Sequence, residues 1–184
     1  MNEVRIIGGL WKRRKLQFPN RPELRPTPDR MRVTLFNWLA ALLDGARCLD
    51  LFAGSGALGF EAASRGAGAV TLIERDAQAI AALRESRTKL GADRCEIVKA
   101  DATEWLARDR SCWDVVFLDP PFDGPLLTRS LALLARDHRL HASSRVYIEF
   151  RRDEAPPLDA DWAVEKATRA GDSSGRLLRW SHAG

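Results

Sequence analysis

Between Arg47 and Asp119, four short apolar runs alternate with stretches of helical character. The runs are CLDLF (48–52), AVTLIE (69–74), CEIVKA (95–100) and DVVFLD (114–119); the helical stretches are 57–65, 76–90 and 101–109. The runs are nearly continuous in apolar residues, so each strand has to be covered on both faces. Strands of that kind separated by helix-length segments build β-α-β units, and therefore a parallel sheet between layers of helix. A further helix over 125–137 leads to RVYIEF (145–150). WAVEKATRA (162–170) and GRLLRW (175–180), joined at GDSSG, read as a hairpin, which adds an antiparallel edge to the parallel sheet.

Upstream the pattern differs. VRIIG (4–8) and KLQF (15–18) flank a turn-like GLWKRR, and four of the nine prolines fall between 19 and 28, a stiff extended connector. Asp29 then caps a helix that carries Met31, Leu35, Trp38 and Leu39 on one face. The expected division is a basic hairpin with its Pro-rich connector over 1–28 and one domain over 29–184. With 184 residues, 45% of them hydrophobic, the chain can fill one well-packed core plus this small appendage. The net charge of +4 is uneven: residues 1–32 carry +6, leaving −2 for the remainder. A basic segment on a near-neutral body points to a polyanionic partner; the plainer reading is a solvated tail. Cys48, Cys95 and Cys112 lack C-x-x-C spacing, as expected of reduced thiols in a cytoplasmic protein. No apolar stretch approaches the length of a membrane span, the first residues lack the apolar core of a signal peptide, and the H-x-x-H of His138 and His141 reads as surface. No metal site is expected. Trp11, beside KRRK, either stacks on RNA or packs the hairpin.

The chemistry gathers at the strand ends. Asp50-Leu51-Phe52-Ala53-Gly54-Ser55-Gly56-Ala57-Leu58-Gly59 places G-x-G-x-x-G directly after a strand and at the start of a helix. Such a loop brings backbone close to a ligand and presents a helix N-terminus to an anionic group. Glu74 ends the second strand, where an acid accepts hydrogen bonds from ribose hydroxyls; Asp101 ends the third and Asp119 the fourth. Ligands of open α/β sheets lie beyond the carboxyl ends of the strands, so these acids converge on one crevice. A dinucleotide enzyme is disfavoured: no residue stands out for hydride transfer, and Asp50 would face a pyrophosphate with like charge. S-adenosylmethionine fits better, with an ammonium for Asp50, a carboxylate for the helix N-terminus, ribose hydroxyls for Glu74 and an adenine amine for Asp101. The expected cofactor set is Asp50, Phe52, Gly54, Ser55, Gly56, Glu74, Arg75, Asp101 and Ala102. In D-P-P-F (119–122), prolines end the strand and fix a carboxylate and a carbonyl that supply no competing N–H.

Taken in order, DLFAGSG, LIERD, KADA and DPPF resemble a class I methyltransferase acting on exocyclic amines. RIIGG…RKL, LRPTPDRMRVTLFNWL and AGSGALGFEAASRGA narrow the resemblance to the RsmD family, over roughly 4–180. The resemblance implies a Rossmann-like α/β fold with a mostly parallel seven-stranded sheet of order 3-2-1-4-5-7-6. It also implies methyl transfer from S-adenosylmethionine to a guanine N2 amine of small-subunit ribosomal RNA, naked or in the assembling subunit, by a monomer. On that reading Asp119, Pro120, Pro121 and Phe122 serve catalysis: acceptors hold the amine, and Phe122 stacks on the base. Lys12, Arg13, Arg14, Lys15, Arg25, Thr27 and Arg30 contact RNA. Val33 stands where the family pattern has Glu, and Trp180 where it has Tyr. Two rival readings are amino methylation of DNA adenine or a protein glutamine, and a non-catalytic RNA-binding assembly factor.

Overall fold

The computed structural model describes residues 1–20, 27–122, 124–136 and 138–181. Nine strands and five helices are seen among them: β1 (Asn2–Arg5), β2 (Lys15–Phe18), α1 (Asp29–Trp38), β3 (Arg47–Asp50), α2 (Ala57–Ser64), β4 (Ala69–Glu74), α3 (Ala77–Leu90), β5 (Cys95–Lys99), α4 (Ala102–Arg108), β6 (Trp113–Leu118), α5 (Leu126–Leu134), β7 (Leu140–Arg151), β8 (Trp162–Ala170) and β9 (Ser173–Trp180). Seven form one sheet in the order β5-β4-β3-β6-β7-β9-β8. Counted from β3, this is the 3-2-1-4-5-7-6 order that the resemblance implies. The pairs from β5 through β7 are parallel, and β9 is antiparallel to both β7 and β8.

Period-2 alternation sorts each strand between two cores. One face carries Cys48, Val70, Leu72, Val115, Phe117 and Tyr147, packed by α1, α2 and α3; the other carries Leu49, Ile73, Val116, Leu118, Ile148 and Phe150, packed by α4 and α5. Helix α2 is buried at all eight positions, an all-round burial that needs a second cover opposite the sheet. The β1–β2 hairpin belongs to the same apolar cluster and provides it, with Trp11 only 7% exposed, so this indole packs the hairpin onto the core.

Three local expectations need correcting. Asp29 does not cap α1. Pro28 holds the cap position without a side-chain bond, and Asp29, in the first turn, accepts from Arg32 at 2.6 Å. The first strand stops at Arg5 rather than Gly8, because the Ile7 and Gly8 amides turn to Glu61 Oε2 and Oε1 at 2.7 and 2.8 Å. Strand β7 begins at Leu140, not at 145. The register shifts between Trp113 and Val115, and Ser144 Oγ donates to the Trp113 carbonyl at 2.7 Å, so polar HASS continues the ladder without an apolar signal.

Cys48 and Cys95 are buried and Cys112 is half-buried; all three are free thiols. Burial pushes both buried thiols up to about 12. Among the described residues no helix is long and apolar enough to cross a membrane, and no cluster of three or more His, Cys, Asp or Glu is arranged to hold a metal.

Candidate active site

Because β3 to β7 run parallel, their carboxyl ends lie along one edge of the sheet. Asp50 closes β3, Glu74 closes β4, Asp101 follows β5 and Asp119 follows β6. The glycine loop joins β3 to α2 at this edge. Gly56 occupies the α2 cap with φ 76, and a side chain there would press on Phe60 and Leu83. Gly59 packs against Leu72 and Asp50, leaving no room for a Cβ.

Glu74 ties this edge together. One carboxylate oxygen accepts the Gly54 amide at 2.9 Å, and the other accepts the Arg75 and Asp76 amides, each at 2.8 Å. Both the glycine loop and the turn into α3 are thus held by one half-exposed acid, which keeps about one lone-pair site unused by these bonds. Asp101 caps α4, accepting from the Thr103 and Glu104 amides at 3.0 and 3.1 Å. These bonds hold its carboxyl below the usual range. A cleft of about 410 Å³ runs beside it along α4, lined by Ala100, Asp101, Glu104, Trp105, Arg108 and Asp109. Ala102 is buried under the first turn of α4; Phe52 and Gly54 are half-buried, Ser55 is buried, and Arg75 is exposed.

Asp50, expected to face a cationic head group, is placed beneath the loop instead. It is 1% exposed and accepts the Gly59 amide at 2.9 Å. Burial raises its carboxyl to about 7, against the pull of the Gly59 and Phe52 amides. Thr27, expected on the RNA-facing surface, is 3% exposed, and its hydroxyl donates to Asp119 Oδ2 at 3.3 Å.

The register shows a residue that sequence reading passed over. Leu118 pairs with Ile148, so Glu149 on β7 stands across from Asp119. Glu149 is 2% exposed and accepts from the Tyr147 hydroxyl at 3.3 Å. Desolvation raises Asp119 well above the carboxylate range, reinforced by the charges of Glu149 and Asp50 and opposed by the Thr27 hydroxyl. Glu149 is raised as well, first by burial, with the Thr27, Ser173 and Tyr147 hydroxyls opposing. Two facing carboxyls cannot both ionise cheaply, so the pair keeps a proton above the usual carboxylate range. The signal was present in RVYIEF: an acid near the end of an apolar strand, as in the other strands, two residues from the lone tyrosine and therefore on its face. Pro120 is buried, Pro121 exposed and Phe122 half-buried at the rim.

The cations divide. Lys12, Arg13, Arg14 and Lys15 are exposed in and beside the hairpin turn. That turn is anchored by Leu10 N to Ser64 O at 2.7 Å, Trp11 N to Ser64 Oγ at 2.9 Å, and Arg14 to the Lys89 carbonyl at 2.8 Å. Ser64 and Lys89 lie at the C-terminal ends of α2 and α3, which return to the amino edge of the sheet. The four cations therefore sit opposite the carboxyl edge. Arg30 is exposed in the first turn of α1, three residues from Thr27; Arg25 lies outside the described residues.

The family described as "Conserved hypothetical protein 95" matches residues 4–179. The ribosomal RNA small subunit methyltransferase D of Escherichia coli strain K12 is 42% identical over 178 residues, covering 96% of this chain and 90% of its own. The chain belongs to the RsmD family. Among solved structures, a putative methyltransferase from Escherichia coli superposes with a TM-score of 0.88 at 40% identity, over 98% of this chain and 99% of the other. A putative methylase from Haemophilus influenzae gives 0.84 at 36% identity, over 98% and 100%. Membership is consistent with the whole layout, since the match spans the hairpin, the glycine loop, D-P-P-F and the C-terminal β8–β9 pair alike.

Proposed function

We propose that this RsmD-family chain methylates the exocyclic N2 amine of a guanine in small-subunit ribosomal RNA, using S-adenosylmethionine. The observation that carries the reading is the acceptor cluster at the end of β6: Asp119 held by Thr27 and faced by Glu149, with Pro120 and Pro121 following it in the chain. Glu74, the Gly54–Gly56 loop and Asp101 would hold the cofactor, and the half-exposed Glu74 has about one lone-pair site to spare for a hydroxyl group. Bound there, S-adenosylmethionine supplies an electrophilic methyl group. Asp50 supports this set from beneath by fixing the Gly59 amide.

An aryl amine is a poor nucleophile because its lone pair is delocalised into the ring. Acceptors on its hydrogens favour the pyramidal form and aim the lone pair. Asp119 and the Pro120 carbonyl are such acceptors. An ionised carboxyl accepts only, which suits the adjacent N1–H and N2–H donors of guanine. Asp119 has to be ionised to act so, and a cation brought to the crevice favours loss of the proton it shares with Glu149. The amine would lose one proton as the new N–C bond replaces the methyl–sulfur bond, whose electron pair stays on sulfur, and Asp119 would receive that proton. Phe122 at the rim offers its ring to the extruded base.

Single-turnover methylation of small-subunit ribosomal RNA tests the assignment. Asp119→Ala should lower the rate by about 10²-fold or more with cofactor affinity kept. Asp119→Asn, which turns an acceptor into a donor, should be damaging as well. Near-full activity of Asp119→Asn on RNA would remove guanine N2 from this carboxylate. Nucleoside mapping of ribosomal RNA from cells lacking the protein should show one N2-methylguanosine missing.

A further inference from the structure

The cations of the hairpin turn lie at the amino edge of the sheet, away from Asp119, yet a second basic group stands at the carboxyl edge. A groove of about 150 Å³ runs where β7 ends and the β8–β9 pair begins, and Arg152, Arg169 and Arg176 are among its lining residues. Phe150 forms its apolar wall, with the Arg176 guanidinium carbon 5.1 Å from the ring centroid. Asp153 is the one acid among the lining residues. The groove is built on fixed backbone: Arg152 N donates to the Asp172 carbonyl at 2.8 Å, and Ser174 pairs with both Phe150 and Arg169.

Its position follows from the register. Leu118 pairs with Ile148, Ile148 pairs with Arg176, and β9 pairs with β8, so the groove begins one strand away from Asp119, about 5 Å, and extends to Arg169 three strands away, about 15 Å. Phe150 shares its core cluster with Leu118 and with Leu127 of α5, so the groove lies on the α4–α5 face, and RNA reaching Asp119 from it crosses the carboxyl edge to the Tyr147 face. We propose that Arg152, Arg169 and Arg176 form a docking groove for the RNA backbone, taking phosphates next to the nucleotide presented to Asp119. This rests on the RNA reading above.

Charge and size select the occupant. Three guanidinium groups against one carboxylate suit a row of phosphates, which guanidinium forks can take in bidentate pairs. An enclosed small-molecule site is larger, roughly 300 Å³ or more, and mostly apolar. The nearby acids are accounted for: Glu154 is 3.6 Å from Arg151, and Asp172 lies in the exposed β8–β9 turn.

The test is the double variant Arg152→Ala with Arg169→Ala, leaving Arg176 to pack on Phe150. Probes are a small-subunit ribosomal RNA transcript, small subunits from cells lacking the protein, and inorganic phosphate as competitor. At about 0.15 M salt the RNA Kd should rise by about tenfold or more, and the salt slope should become shallower by about one unit per arginine. S-adenosylmethionine affinity and thermal midpoint should stay as in the wild type, and kcat at saturating RNA within about twofold. Asp153→Asn should tighten RNA binding. Equal Kd and equal salt slope for wild type and double variant overturn the groove, as does competition by millimolar inorganic phosphate matching that of the transcript. If the wild type methylates neither probe while the double variant still loses RNA affinity, the methyl-transfer reading fails and the groove stands.

Discussion

Asp50 is an acid that the fold has taken out of water. Its carboxyl rises to about 7 in the folded chain, from an ordinary value of 3.8, because burial disfavours the charge. Between those values the folded state binds more protons than the unfolded state, so this group's contribution to stability falls as pH rises from about 4 to about 7 and is level above. Asp101 and Asp114, both held low, act in the opposite sense and only below about 4. In Asp50→Asn the side-chain oxygen can keep the Gly59 bond without the titration. Relative to wild type, the variant should gain stability across that window by up to about 4 kcal/mol. Melting midpoints at pH 5 and pH 8 measure it, and a constant difference would show that Asp50 does not titrate there. Glu149 offers a second comparison. Glu149→Gln keeps an acceptor for Tyr147 and removes the charge that raises Asp119, so the acid limb of the pH–rate profile should move to lower pH with little change in melting. Glu149→Ala instead strands the buried Tyr147 hydroxyl and should cost about 1–3 kcal/mol. An acid limb unmoved in Glu149→Gln would separate the two carboxyls functionally. Gly175 enters here, because a Cβ at that position would run into the Tyr147 hydroxyl, so Gly175→Ala should disturb the same pair.

At the scale of elements, the hairpin is attached to α2 through one buried carboxylate and through Ser64. Glu61 takes the Ile7 and Gly8 amides and Arg65 Nε, at 2.7 to 2.8 Å, with Arg32 NH1 at 3.9 Å. Among the described residues, Glu61→Ala would leave the buried Arg32 with Asp29 and the Arg5 carbonyl, and should cost about 3 kcal/mol or more. The hairpin should then be cut by protease well before the sheet melts; simultaneous loss would mean that hairpin and sheet unfold as one. Nothing in AGSGALGFEAASRGA marks Glu61 as a clamp, since the hairpin amides it holds lie more than fifty residues away. That is the general reason for what was and was not legible. The β-α-β alternation and the glycine loop are local patterns with a fixed period, so the parallel sheet and the acids at its strand ends could be read from the chain, while the strand order came with the family resemblance. Glu149, Glu61 and Thr27 acquire their roles only across strands or from the N-terminal segment, and Asp50 was misplaced because spacing says nothing about depth. The early start of β7 was hidden for a related reason, its first turns being stitched by serine hydroxyls rather than by apolar side chains.

For the molecule as a whole, basic charge occupies both edges of the sheet. The hairpin cations and Asp119 are separated by at least the length of α2, about 12 Å for eight residues. Reversing Lys12, Arg13, Arg14 and Lys15 to acids should weaken binding of a long transcript or a whole subunit while leaving a short stem-loop that reaches only D-P-P-F nearly unaffected. Equal losses on both substrates would place the hairpin at the reacting base. The three thiols bear on a different question, how this sheet opens. Cys48 and Cys95 sit on the first and third strands of the β-α-β array, inside the core, where a thiol pushed up to about 12 is inert at neutral pH. Cys112, at the amino edge just before β6, is the half-buried one. A maleimide pulse on the native protein should therefore add a single label at Cys112, with two more appearing only in molecules whose sheet has come apart. The chain thus carries its own clock for unfolding, readable by mass alone and without an engineered probe.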